Sequence, residues 1–311
     1  MVASSFVHAG ITCKLAAILA TLLGAGSALA QDLEPRSYAN TPIGMHFAII
    51  GYVYTTGGVA LDAGLPLEDA EIEIHSEILA YAHSFALLGR SAKIDAIFPV
   101  AELSGTATFA GEPAEREVSG LGDQRIRFSY NFYGAPALTL EEYLNWHQDV
   151  IAGASLQIVV PAGQYNEDRA VNLGNNRWAF KPELGISKAL GDLILELQTG
   201  VTVYTDNGDY IGGRTREQDP ILAIQGHGIY SVWRGVWAAL DATYYYGGNT
   251  TVNGVESDDK QSNLRLGGTL ALPLSRHQSV KLFASGAVLT SSGTDFTNVG
   301  IAWQYRWGGG L

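Results

Sequence analysis

Cysteine is nearly absent: among 311 residues Cys13 is the only one. Because it lies in the first thirty residues, the chain that follows carries no disulfide framework, no thiolate nucleophile and no cysteine metal ligand. Charge is scarce as well. Asp, Glu, Lys and Arg make up 16% of the sequence, with 19 basic against 31 acidic side chains and a formal balance of -12. That balance excludes the basic footprint of a nucleic-acid binder, and the 47% of hydrophobic residues excludes a disordered chain. Long hydrophobic runs are missing too. After residue 30 no window reaches the roughly 18 uninterrupted apolar residues of a membrane helix. Nor is there a G-x-S-x-G or H-E-x-x-H segment, the marks of a hydrolase elbow and of a zinc protease. Yet the mean hydropathy is +0.08, too high for an ordinary soluble surface. Apolar residues have to be hidden between polar ones.

The start of the chain accounts for a little of that hydropathy. MVASSFVHAGITCK is weakly basic, LAAILATLL is an apolar run, and Ala28, Leu29 and Ala30 make a small-x-small cleavage site. This layout predicts a secretory signal peptide over residues 1–30, removed after Ala30, since the run from Leu15 to Leu23 is far shorter than the roughly 20 residues of a spanning helix. Loss of Lys14 with it leaves 18 basic against 31 acidic side chains, a balance of -13. The chain is therefore expected to be exported, with residues 31–311 as one domain.

Beyond Ala30 the recurrent signal is alternation. Leu264, Leu266, Leu270 and Leu272 share one parity, and Gln261, Asn263, Arg265 and Thr269 the other; a strand puts the two sets on opposite faces. Val299, Ile301, Trp303, Tyr305 and Trp307 oppose Asn298, Gly300, Gln304 and Arg306 in the same way. The pattern predicts twelve strands, near 43–55, 71–87, 91–100, 122–133, 148–160, 178–188, 192–205, 219–232, 236–247, 260–273, 278–290 and 296–307. Connections alternate between long polar ones (57–70, 101–121, 161–177, 206–218, 248–259) and tight turns such as Leu88-Gly89-Arg90 and Ala189-Leu190-Gly191. Long loops at one end and short turns at the other mark an outer-membrane barrel.

Two connections depart from this rule. Residues 134–147 should form a short turn but have helical spacing at Leu138, Leu140, Tyr143 and Leu144, which predicts a small amphipathic helix at the periplasmic rim or else a buried hairpin extension. Residues 291–295 form a short link where a long loop is due. A soluble sandwich also shows period-2 strands, but these segments exceed the five or six residues usual there, and twelve strands enclose too large a volume to fill with Leu and Val. Tyr52 and Tyr54, Tyr130 to Tyr133, Tyr244 to Tyr246 and Trp303 to Trp307 gather near strand ends, as interfacial girdles do. The fold class read from the pattern is all-β, a transmembrane antiparallel up-and-down β-barrel of about twelve strands with a short periplasmic helix.

Several runs also resemble a known family. LEPRSYANTPIG (33–44), GRSAKID (89–95), NFYGAPAL (131–138), NNRWAFKPELGISKALG (175–191), GGRTREQDPI (212–221), DDKQSNLRLGGTLALPL (258–274) and GIAWQYRW (300–307) are similar to the outer-membrane transporters grouped as the MetA pathway of phenol degradation. The resemblance implies a single-chain, porin-like barrel in a Gram-negative outer membrane, passing small organic solutes with aromatic ones as candidates. It implies no catalytic or binding residues. One departure is the Gly308-Gly309-Gly310-Leu311 tail after Trp307, where barrels of this kind end on an aromatic.

Assigning the polar parity of each strand to the lumen yields the candidate site residues. They are Glu73, His75, Glu77 and His83 on one strand, then Lys93 and Asp95, Arg125 and Arg127, Lys181 and Glu183, Glu196 and Gln198, Gln225 and His227, Asp241, Arg265, Lys281 and Arg306. Both signs occur in similar number. Two readings follow, a constriction that aligns polar solutes or a set of paired charges that braces the barrel. His75 between Glu73 and Glu77 has the spacing of a one-sided metal site, although a hydrogen-bond network explains it as well; neither a metal nor another cofactor is expected. The acidic excess falls in the loops, where it reads as solvated rim. No adjacent Ser/His pair stands on the lipid parity, which argues against a lipase-like barrel enzyme. The expected partners are the lipid bilayer, the barrel-assembly machinery and small organic solutes. A closed barrel with a structural, adhesive or lipid-handling role is the alternative to a channel.

Overall fold

The computed structural model describes residues 34–58, 67–109, 112–169, 171–291 and 295–311; the expected signal peptide and its cleavage site lie outside them. Seventeen strands occur among the described residues: β1 (Met45–Gly58), β2 (Leu67–Leu87), β3 (Arg90–Phe109), β4 (Glu112–Leu121), β5 (Gln124–Tyr133), β6 (Val150–Val160), β7 (Ala179–Leu190), β8 (Leu193–Tyr204), β9 (Asn207–Tyr210), β10 (Arg214–Gln218), β11 (Ile221–Trp233), β12 (Val236–Gly247), β13 (Thr250–Val252), β14 (Val255–Glu256), β15 (Gln261–Pro273), β16 (Gln278–Leu289) and β17 (Asp295–Gly308). One helix, α1 (Leu140–Leu144), lies between β5 and β6.

Twelve of the strands close a barrel. Each pairs antiparallel with its neighbours in the order β2, β1, β17, β16, β15, β12, β11, β8, β7, β6, β5, β3, and the β2 to β3 pairing completes the ring. Closure leaves no sheet edge in the wall, the condition for a sheet to cross hydrocarbon. All twelve expected segments are barrel strands, with ends shifted by at most four residues except that β3 runs nine residues further, to Phe109. Seam strands β1 and β17 pair without a register shift from Met45 opposite Gly308 to Gly58 opposite Asp295.

The outer wall follows the alternation. Leu184 and Ile186 on β7, Leu195 and Leu197 on β8, Leu266 and Leu270 on β15, and Val299 and Ile301 on β17 are all exposed on one side of the sheet. A bilayer covers such a surface, as it does for any barrel of this fold. Aromatics mark both rims. At the periplasmic rim Trp307 stacks on His46 at 5.3 Å and His46 on His83 at 4.4 Å, tying β17, β1 and β2 together across the seam. Tyr52, Tyr244 and Tyr246 stand at the other rim.

Three of the expected loops contain strands. The 101–121 segment is the upper half of β3 turning back as β4, which pairs from Val100 opposite Leu121 to Phe109 opposite Glu112. The 206–218 and 248–259 segments contribute β9, β10, β13 and β14, which form a separate four-stranded sheet. These pieces lie outside the lipid, so no apolar parity announced them. Beside the small sheet, Arg177 lies over the Tyr204 ring at 4.5 Å, and burial together with the neighbouring Arg216 pulls the Arg177 guanidinium down to about 10.

The 134–147 connection is a single helical turn rather than a hairpin. Thr139 caps α1: its hydroxyl accepts from the Glu142 backbone N–H at 3.3 Å, while the Glu142 carboxylate accepts from the Thr139 backbone N–H at 2.8 Å. This reciprocal cap satisfies two otherwise orphaned donors, and those donated hydrogen bonds hold Glu142 below the usual carboxylate range.

Candidate functional site

Inside the barrel, the residues that precede β1 do not hang from its mouth; they enter it. Tyr38 is 1% exposed, and its hydroxyl donates to Glu183 Oε1 at 3.1 Å. Around it the chain from Glu34 to Gly44 is fixed along its length. Lys93 Nζ donates to the Ser37 carbonyl at 2.6 Å, Asn131 Nδ2 to the Tyr38 carbonyl at 3.2 Å, and the Arg36 backbone N–H to Glu196 Oε2 at 2.7 Å. Arg127 bridges Glu34 to Asp95, bonding the latter at 3.1 Å. Asn40 Nδ2 donates to the Pro136 carbonyl at 3.1 Å, anchoring the segment to the β5 to α1 connection.

The wall is shaped to take this plug. Gly153 on β6 and Gly185 on β7 are register partners, and a Cβ on either would lie 2.5 Å or 2.1 Å from the Tyr38 ring. Two glycines opposite each other thus make a notch one aromatic ring deep. Burial first, and then the Glu183 carboxylate, push the Tyr38 hydroxyl above its ordinary range, so it stays a neutral donor.

Most expected lumen residues sit on the inner face, in two groups. Lys93, Asp95, Arg127, Lys181, Glu183, Glu196 and Gln198 lie along β3, β5, β7 and β8; those that do not contact the plug directly pair with a residue that does, as Lys181 does with Glu183 at 2.9 Å. Arg125 is buried on the same wall. The second group lies on β11, β12 and β15, where His227 Nδ1 and Asp241 Oδ1 are 2.6 Å apart and both side chains are fully buried. Thr269 donates to the other Asp241 oxygen at 3.3 Å. Gln225 is buried on the inner face of the same strand as His227. His227 Nε2 has no hydrogen-bond partner among the described residues. Arg265 donates to the Phe296 carbonyl and to Ser285 Oγ, both at 3.1 Å, with its guanidinium 3.4 Å from the Phe296 ring centre.

Glu73, His75, Glu77 and His83 are a correction. They share parity with Leu79 and Tyr81 on the outer face, and Ile72 and Ile74 point inward instead. For His83 the reason is its place at the periplasmic rim, where it stacks on His46; for the other three it is height. β2 runs 21 residues, past the lipid, and up there the inner face packs Ile72 and Ile74 against Leu103, Val118 and Leu173 while the outer face meets water. Polarity along one parity therefore changes sides at the membrane boundary. His75 bonds Tyr52 at 2.6 Å and Glu73 bonds Tyr54 at 3.0 Å, and among the described residues no three His, Cys, Asp or Glu side chains are grouped to hold a metal.

Beside the plug, along β1, β2 and the adjoining part of β3, the wall changes character. Phe47, Ile49 and Val53 on β1, Ile78 and Ala80 on β2 and Ile97 on β3 are half-buried on the inner face. Where this apolar strip meets β16 and β17 a cavity of ≈ 880 Å³ opens at the periplasmic end. Ile49, Trp237, Lys281, Gln304 and Arg306 line it, together with Tyr143 of α1 and Arg36 of the plug.

A family model described as "Putative MetA-pathway of phenol degradation" matches residues 53–306. The chain belongs to this family. Among solved structures, an outer membrane channel from Pseudomonas putida F1 is similar over 89% of this chain and 100% of its own, with a TM-score of 0.73 and 21% identity. The β domain of the Bordetella autotransporter BrkA (TM-score 0.53, 11% identity, 85% of this chain and 100% of that one) is similar as well. So is the transport unit of the Escherichia coli autotransporter AIDA-I (TM-score 0.52, 10% identity, 93% and 97%). At these identities the likeness is one of fold, the closed barrel of Gram-negative outer membranes. No curated protein matches the sequence. The family match begins at Val53, so the plug residues precede it. Sequence reasoning missed them because a polar, proline-containing stretch before the first strand has no period to read; its trace was the pair of glycines on the lumenal parity of β6 and β7.

Proposed function

We propose that this family member is a channel that passes small organic solutes across the outer membrane, exported through a cleaved leader and inserted by the barrel-assembly machinery. One observation carries the reading: the plug is fixed mainly to the charged wall of β3 to β8, while an apolar strip on β1 and β2 leads to a periplasmic mouth of ≈ 880 Å³ that Arg36 of the plug helps to line. Solutes with both polar and apolar parts find partners on both sides of such a path. The similar Pseudomonas putida protein is an outer membrane channel, which supports the same assignment.

The closed-barrel reading keeps one observation of its own, the dense hydrogen bonding of the plug to Glu183, Glu196 and Lys93. Purified, heat-modifiable protein in planar bilayers separates the two. Small discrete conductance steps that grow when residues 34–40 are deleted support the channel. A folded barrel with neither conductance nor flux of small organic solutes into proteoliposomes, with or without the plug, overturns it.

A further inference from the structure

The periplasmic cavity is cationic in a chain that is acidic overall. Arg36, Arg234, Lys281 and Arg306 line it against the single acid Asp192. Elsewhere in the lumen the cations are spent: Arg127 on Glu34 and Asp95, Lys181 on Glu183, Lys93 on a plug carbonyl. Here they are not. Among the described residues no carboxylate lies within ion-pair distance of Arg36, Lys281 or Arg306, and Arg306 commits only its Nε, to the Arg276 carbonyl at 2.8 Å.

Their placement suits one kind of ligand. Lys281 is the register partner of Ala302, four residues up β17 from Arg306, so the two charges lie on one lumenal face about 13 Å apart along the strand, with Gln304 between them. Ile49 of β1 is the register partner of Gln304, and Phe47 that of Arg306, which sets an apolar column directly beside the charged one. Trp237 closes the opposite side, with the Arg36 guanidinium 5.5 Å from its ring centre. The volume falls within the roughly 300 to 1,000 Å³ of small-molecule sites. Uncompensated cations in a recess with low-dielectric walls concentrate anions.

We propose that this vestibule binds small organic carboxylates with an apolar or aromatic body, the carboxylate on Lys281 or on Arg306 and the body against Ile49 of the apolar column. The inference builds on the channel reading, yet the site can be tested without it. Binding of sodium benzoate to the detergent-solubilised barrel is measured by calorimetry beside benzyl alcohol, its neutral counterpart. Benzoate is expected to bind at least ten-fold more tightly than the alcohol, and the K281Q/R306Q variant to lose that preference while remaining heat-modifiable. Equal affinity for acid and alcohol in the wild-type protein, or a preference unchanged in the variant, overturns the proposal. In bilayers the reversal potential in a salt gradient should favour anions, and less so in the variant; a cation-selective wild-type pore also overturns it. Charge-selective binding without any conductance leaves the anion site standing and sinks the channel, whereas conductance without charge discrimination does the opposite.

Discussion

Tyr38 and Glu183 are 145 residues apart in sequence, and the hydroxyl of one donates to the carboxylate of the other at 3.1 Å inside the barrel. That bond, together with the ring lying in the notch of Gly153 and Gly185, fixes the N-terminal segment as a plug held mainly against the charged wall. The lumen is asymmetric for that reason.

Enlarging Gly185 should therefore open the barrel. In Gly185→Val the new Cβ would meet the Tyr38 ring at 2.1 Å, so the ring cannot stay in its notch. Truncation in Tyr38→Ala removes a buried aromatic, worth about 3 kcal/mol or some two orders of magnitude in the balance of seated and released plug. Both variants are expected to raise single-channel conductance several-fold while the barrel still migrates as folded protein on unheated gels.

Acidity should leave the plug in place until well below the usual carboxylate range. Burial alone would raise the pKa of Glu34, but the charge and hydrogen bond of Arg127 prevail and hold it at about 2, against 4.5 for a free side chain. A depressed carboxyl contributes stability that is complete above 4.5 and is lost as pH falls through about 2. Conductance recorded from pH 7 to pH 4 should show no plug release, and release should begin near pH 2. E34Q should show at neutral pH the behaviour that the parent protein shows only near pH 2.

The two faces of the wall should respond differently to the same charge. Leu197 is exposed in the middle of β8, so Leu197→Arg places a cation against hydrocarbon and should cost about 2 to 4 kcal/mol. Glu73→Arg lies on the outer face above the lipid and should cost close to nothing. Denaturant-dependent folding into lipid vesicles measures both, and a large loss at Glu73 would contradict its outward, water-facing placement.

Asp123 should govern the order of the loop above β5 and β6. It is buried, and its carboxylate accepts from the Gly163 backbone at 3.0 Å and from the Asn175 backbone at 2.8 Å. Asp123→Ala leaves those donors unpaired, a local loss on the order of 3 kcal/mol. Limited proteolysis should then cut within residues 161–177 while the barrel core survives.

The closed barrel was legible because each wall strand separates lipid from lumen over the part that lies in the membrane, so period 2 survives in residues such as Leu264 to Thr269 and Val299 to Arg306. The same rule misplaced Glu73, His75 and Glu77. It presumes that the polar parity faces inward, and β2 outruns the membrane. The candidate site was legible only as a set of lumenal charges; which were neutralised, and by what, was not.

Alternation over twelve segments, scarce charge and the missing apolar helix determined the fold class by themselves, since burial in lipid acts on each residue according to its parity alone. The plug, the split of the lumen into a charged and an apolar wall, and the uncompensated cations at the periplasmic mouth were decided only by tertiary structure. They depend on contacts between residues such as Tyr38 and Glu183 or Lys281 and Arg306, which the closing of the sheet brings together across distances that no local pattern records.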